Sequence, residues 1–213
     1  SYPLYSWIGL TDAKGTVTTA TRGMLEGVDV SARPWFVNAQ RGVAMGDVHE
    51  AVLLARLLGN EGEAPPRFVD IAFTMPRANG GTRGVVAAHL NWSWARDVER
   101  AIFQPLDPKR AITPLIVSRD DRVLLGPAEL LGTTLNLPSL REAAGKVGGH
   151  TEERWPDGQR YLVGYASDRG LDGYPGMGWR VLVRQPLGEA YSPASALQRQ
   201  FLVAGLLGAL VFS

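Results

Sequence analysis

With three histidines and no cysteine, this sequence can do only a narrow range of chemistry. Lacking cysteine, it can form no disulfide scaffold, no thiolate-bound zinc and no thiol nucleophile. His49-Glu50 opens a zinc-protease pattern, but the second imidazole belongs four residues later and position 53 is leucine, so that helical metal clamp is missing. No Gly-x-Ser-x-Gly turn presents a serine, and no Gly-Lys-Ser/Thr loop is present to cradle phosphate. Gly173 to Gly178 is glycine-rich but leads into a strand pattern, so it reads as a tight turn. No catalysis, metal or cofactor is expected from these motifs. Arg33-Pro34-Trp35-Phe36 is more informative. A guanidinium can fork onto a carboxylate while neighbouring rings exclude water. The same four residues would equally start an amphipathic helix, with Trp35 in the core and Arg33 in solvent.

The elements that must position these residues fall into two similar halves. The first opens with an apolar strand pattern, Leu4 to Leu10, a polar turn ending at Gly15, and a second strand, Thr16 to Ala20. The second opens the same way with Thr113 to Val117, a turn over Ser118 to Asp121, and Arg122 to Leu125. Each half closes on a hairpin of longer strands. The first pairs Arg67 to Met75 with Arg83 to Trp92 through Asn79-Gly80-Gly81; the second pairs Val147 to Trp155 with Gln159 to Ala166 through Pro156-Asp157-Gly158. Gly178 to Gln185 adds a last strand. Helices are expected at Ala32 to Gln40, at Asp47 to Leu58 on the spacing of Val48, Val52, Ala55 and Leu58, and at Trp94 to Phe103 with Ala95, Val98 and Ile102 on one face. Trp92 and Trp94 read as packing at a strand-to-helix corner, and Trp155, Tyr161, Tyr165 and Trp179 as the core of the second half. Hairpins with interposed helices imply an α+β fold built on antiparallel sheets.

Composition narrows the partners. Twenty-two basic against 21 acidic residues, scattered along the chain, argue against a nucleic-acid binder. A 45% hydrophobic content is enough to fill a core, and 25 glycines with 14 prolines imply many turns. The ends read as those of a fragment. Ser1-Tyr2-Pro3 starts without an initiator methionine or a signal peptide, and Phe201 to Ser213 is uncharged throughout. With Ser192-Pro193 as a helix start, that last run reads as the beginning of a transmembrane helix, cut before the roughly 20 residues a span needs.

The segments YSWIGLTDAKGTVTTAT, ARPWFVNAQRG, MGDVHEAVLLA and RFVDIAFTMPRANGGTRGVVAAHLNWSWA resemble the membrane-distal half of a double Cache sensor domain. LIVSRDDRVLLGP, WPDGQRYLVGYA and GWRVLVRQP are similar to its membrane-proximal half. The resemblance implies two stacked PAS-like modules, residues 1–104 and 105–190, with 191–213 as closing helix and start of the span. It further implies an extracytoplasmic, homodimeric receptor domain with a small-molecule ligand in the distal module. The long N-terminal helix of that family is absent here. Relatives that bind amino acids pair an Arg-x-Trp-aromatic segment with aspartates for the ligand amine. Arg33, Trp35 and Phe36 match the first part; His89 stands where the last aspartate is expected, and Gly46 to Glu50 replaces the intermediate acidic segment. The expected ligand-binding set is Arg33, Trp35, Phe36, Asp47, His49, Asp70 and His89, and an anionic carboxylate is the expected ligand. His49 and His89 with Asp47 would also resemble a sparse metal site, although a strand histidine is more often simply hydrogen-bonded.

Overall fold

The computed structural model describes residues 4–50, 54, 66–78, 80–170, 176–192 and 200. They form two compact units, Ser1–Arg100 with Asp172–Met177 and Ala101–Leu171 with Gly178–Ser213. In chain order the first unit holds β1 (Tyr5–Thr11), β2 (Val17–Ala20), α1 (Pro34–Ala39), β3 (Ala44–Glu50), β4 (Arg67–Pro76), β5 (Thr82–Asn91) and the start of α2 (Ser93–Phe103). The second holds β6 (Thr113–Val117), β7 (Val123–Leu125), α3 (Pro138–Gly145), β8 (Gly148–Arg154), β9 (Arg160–Ser167) and β10 (Arg180–Pro186). Each unit is a five-stranded, wholly antiparallel sheet flanked by helix. The strand orders are β2-β1-β5-β4-β3 and β7-β6-β10-β9-β8. The α+β, PAS-like Cache architecture is thus the one observed, and the same arrangement occurs twice.

One face of each sheet is apolar and covered. In the first unit Trp7, Phe68, Ala72, Val85 and Ala87 pack with Trp35, Phe36 and Ala39 of α1. Pro34 at the first helical position fixes the turn into α1, and Trp35, Phe36 and Ala39 all face the core. In the second unit Leu115, Val163 and Leu182 pack with Leu140 and Ala143 of α3. Here Glu153, buried on β8, replaces a local cap. It accepts from the Ser139 N–H at 2.9 Å, the Ser139 hydroxyl at 2.8 Å and the Trp155 indole at 3.1 Å. A carboxylate at a helix start satisfies an orphan N–H and complements the helix dipole.

Three expectations need correcting. Residues 47–50 belong to β3 and are not the start of a helix: Met45, Gly46, His49 and Glu50 are in register with Ile71, Asp70, Phe68 and Arg67 of β4. The open edge of β4 imposes a strand on a segment whose short-range spacing favours helix. Leu54 is helical and buried, and the remainder of that expected helix lies outside the described residues. On α2 the apolar spacing is real but its cover is not: Ala95 is buried while Val98 and Ile102 are exposed. Trp179 is only half-buried, whereas Trp155, Tyr161 and Tyr165 do join the second core. Trp92 and Trp94 meet edge to face at 5.6 Å at the junction of β5 and α2, as expected of a corner. Residues 187–192 are helical after β10, and Phe201 to Ser213 lies outside the described residues. Among the described residues no helix is long and apolar enough to cross a membrane.

Candidate functional site

A polar row crosses the otherwise apolar inner face of the first sheet. Trp7 on β1 stands opposite His89 on β5, and His89 stands opposite Asp70 on β4. Paired residues in an antiparallel sheet share a face, as do residues two apart on one strand. His49 on β3 is opposite Phe68, two residues from Asp70, so it joins the same face. The register of β3 slips between Gly46 and His49, and such a bulge re-aims the side chains that follow it. Gly46 itself faces Asp70. A β-carbon there would lie 3.1 Å from the Asp70 Cβ and 3.3 Å from its Oδ2, so the missing side chain leaves room for the carboxylate.

The row is tightly engaged. The Asp70 Oδ1 accepts a short hydrogen bond from the His89 Nδ1. Its Oδ2 lies 3.5 Å from the His49 Nε2. The Asp70 and His89 side chains are each 8% exposed, and that of His49 is 40% exposed. The His49 Nδ1 is 3.0 Å from the Asp47 carbonyl oxygen. Aromatic rings wall in His89: Trp7 at 5.1 Å, Phe68 at 6.1 Å and Trp35, edge-on, at 6.4 Å. The Trp7 indole is fixed by donation to the Met24 carbonyl at 3.0 Å. It also lies back along its own strand, so a β-carbon on Gly9 would come within 2.2 Å of the ring.

The row forms one wall of a cavity of about 790 Å³, roomy for a small ligand. Of the residues expected at a ligand site, Arg33, Trp35, Asp47, His49, Asp70 and His89 line it, and Phe36 does not. Phe36 is buried behind Trp35, with the rings edge to face at 6.1 Å. Arg33 is exposed, at the entry to α1, and its guanidinium makes no ion pair among the described residues. Asp47 is exposed, and its Oδ1 accepts from the Val48 N–H at 2.7 Å. Trp7, Met45 and Asn38 also line the cavity and were not expected there. The signal for Trp7 is the in-and-out alternation of β1, which buries Trp7, Gly9 and Thr11 together.

Neither a family model nor a curated protein sequence matches the chain. Solved structures do match. An extracellular ligand-binding receptor from Desulfohalobium retbaense is 14% identical with a TM-score of 0.62, over 85% of this chain and 30% of the receptor. This chain therefore spans less than a third of that protein. The ligand-binding domain of the Pseudomonas aeruginosa amino-acid chemoreceptor PctC, in complex with GABA, is 19% identical with a TM-score of 0.60, over 86% of this chain and 75% of that one. The ligand-binding domain of the Pseudomonas fluorescens chemoreceptor CtaA, in complex with L-leucine, is 18% identical with a TM-score of 0.58, over 89% and 74%. At these identities the likeness is one of fold: the chain has the architecture of the ligand-binding domains of bacterial receptors.

Proposed function

We propose that the chain is the extracytoplasmic, ligand-sensing part of a transmembrane signalling receptor, and that its first unit binds a small carboxylate. The observation that carries this reading is the cavity of about 790 Å³ with an exposed Arg33, unpaired among the described residues, in its lining and an aromatic wall behind it. The guanidinium meets the ligand carboxylate, and Trp7 and Trp35 shield the pair from water. Both oxygens of Asp70 already face imidazoles, so a ligand ammonium would have to break the row to reach its acid. An ammonium buried without an acidic partner costs several kcal/mol. GABA and L-leucine, held by the two similar chemoreceptor domains, share the carboxylate and differ in where the amine stands.

In this reading the chain has no catalysis of its own. Units bounded near residues 104 and 190 form a homodimer anchored through the C-terminal helix, and ligand closure shifts the population of receptor states. Calorimetric titration with amino acids and their des-amino carboxylates tests the ligand class. The expected result is binding of carboxylates that weakens at least tenfold in Arg33→Ala. Tighter binding of an amino acid than of its des-amino partner, abolished by Asp47→Asn, Glu50→Gln or Asp70→Asn, would overturn the carboxylate preference.

A further inference from the structure

We infer that His49, Asp70 and His89 form a binding site for a divalent transition-metal ion, with zinc the best fit. One ligand atom from each of the three lies within 4.8 Å of the others. Two imidazoles and one carboxylate are an established zinc donor set, and zinc bound by three protein groups keeps a further position open. Ligand atoms around a tetrahedral zinc at ordinary bond lengths sit roughly 3.3 Å apart. The Asp70 Oδ2 to His49 Nε2 separation is 3.5 Å, so two of the three donors already stand at coordination spacing.

Hydrogen bonding at His49 orients the ring. Its Nδ1 is 3.0 Å from the Asp47 carbonyl oxygen. A carbonyl only accepts, so the proton of a neutral ring sits on Nδ1 and the Nε2 carries a lone pair. That nitrogen faces the Asp70 carboxylate across 3.5 Å, a separation that an ion can bridge. Donation of the outer ring N–H to a backbone carbonyl is also how metal-bound histidines are usually oriented. At His89 the Nδ1 proton shared with Asp70 moves to the ring's other nitrogen when the ion enters, and the two atoms part to either side of it.

The donors come from three adjacent strands, so they are held by the sheet. Gly46 opposite Asp70 keeps the carboxylate free of a neighbouring side chain, and the bulge after it brings His49 alongside. All three residues line the cavity, which gives the open coordination position a route to solvent and to an anionic ligand. The acid in the site is Asp70 and not the exposed Asp47. This inference stands apart from the carboxylate reading, since the metal alone is the probe.

The chain is stripped with a chelator and titrated with zinc in competition with a chromophoric chelator. The expected result is one zinc per chain with micromolar or tighter affinity. His49→Ala should weaken it at least tenfold while leaving the metal-free melting temperature unchanged, because that ring is substantially exposed. Asp70→Asn should weaken it similarly. His150→Ala, an exposed histidine of the second unit, should have no effect. Cobalt in place of zinc should give visible absorption bands that His49→Ala abolishes. Absence of stoichiometric zinc binding, or equal affinity in the native chain and His49→Ala, would overturn the inference.

Discussion

Single atoms decide whether the polar row exists. Gly9 matters because the Trp7 ring occupies the volume its side chain would take. Gly9→Ala should expel the indole from its place beside His89 and destabilise the first unit by about 1–3 kcal/mol, as overpacked cores do. Chemical denaturation with a near-ultraviolet dichroism readout checks both effects; unchanged stability and dichroism would mean that Trp7 sits elsewhere. Glu153 is the residue on which most converges in the second unit, with three donors meeting one buried carboxylate. Glu153→Gln replaces one acceptor oxygen by a donor that faces other donors. The expected loss is about 1–3 kcal/mol, against near-neutral behaviour if the acid served only solubility. Very little of this residue-scale detail was legible in the sequence. Arg33, Trp35 and His89 could be placed through motif likeness. The opposition of Trp7, His89 and Asp70 is a matter of register between strands far apart in the chain, which no local pattern carries.

At the scale of elements, the two sheets set different groups on one scaffold. The turns after β1 and β6 match residue for residue, with Asp12 N–H to the Thr16 carbonyl and Ser118 N–H to the Arg122 carbonyl, so the row Trp7, His89, Asp70, Gly46 has its counterpart in Thr113, Arg184, Val163, Thr151. A glycine makes room for its neighbour in each sheet: Gly46 for the Asp70 carboxylate, Gly149 for the Tyr165 hydroxyl. The second row carries a buried cation, Arg184, stacked on Trp155 at 4.3 Å and Tyr161 at 4.5 Å, where the first carries imidazole and carboxylate beside a cavity. Most strands were legible because their apolar residues alternate and their turns carry glycine, aspartate or asparagine. β3 was not, since Ala44 to Glu50 shows no such alternation and becomes a strand only through pairing with β4. The β8–β9 turn gives a pH-dependent test. Burial pushes the Asp157 carboxyl up, but the Tyr161 hydroxyl, the Gln159 N–H and the Arg184 guanidinium outweigh it and hold the group below its usual value. A carboxyl lowered on folding stabilises above its unfolded value and loses that contribution as pH falls through the folded one. The native chain should therefore lose stability below about pH 4 more steeply than Asp157→Asn, by melting temperature across a pH series. Parallel curves would remove Asp157 from the acid response.

For the whole molecule, the fold was legible as two halves with the same hairpin grammar. The helix expected at Asp47 to Leu58 failed over its first residues for the reason just given. If the first unit is the sensing one, a saturating carboxylate should raise its unfolding temperature selectively. A hundredfold excess over Kd is worth about 2.7 kcal/mol to the unit that binds. Hydrogen exchange resolved by segment would then show protection in β3, β4 and β5 and none in β8, β9 and β10. Equal protection of both sheets would place the ligand elsewhere or at two sites.

The indole of Trp7, 5.1 Å from the His89 ring, also makes the cavity self-reporting. A bound open-shell ion such as cobalt drains an excited indole at such range, whereas a neutral imidazole does so weakly. Light emitted by this one chromophore should therefore follow what His89 holds, over the steady background of tryptophans 92, 94, 155 and 179, none of which lines the cavity. A difference spectrum between native chain and Trp7→Phe would isolate it. Occupancy of the row could then be followed in real time without a label, and a response that survives Trp7→Phe would assign the signal to Trp35.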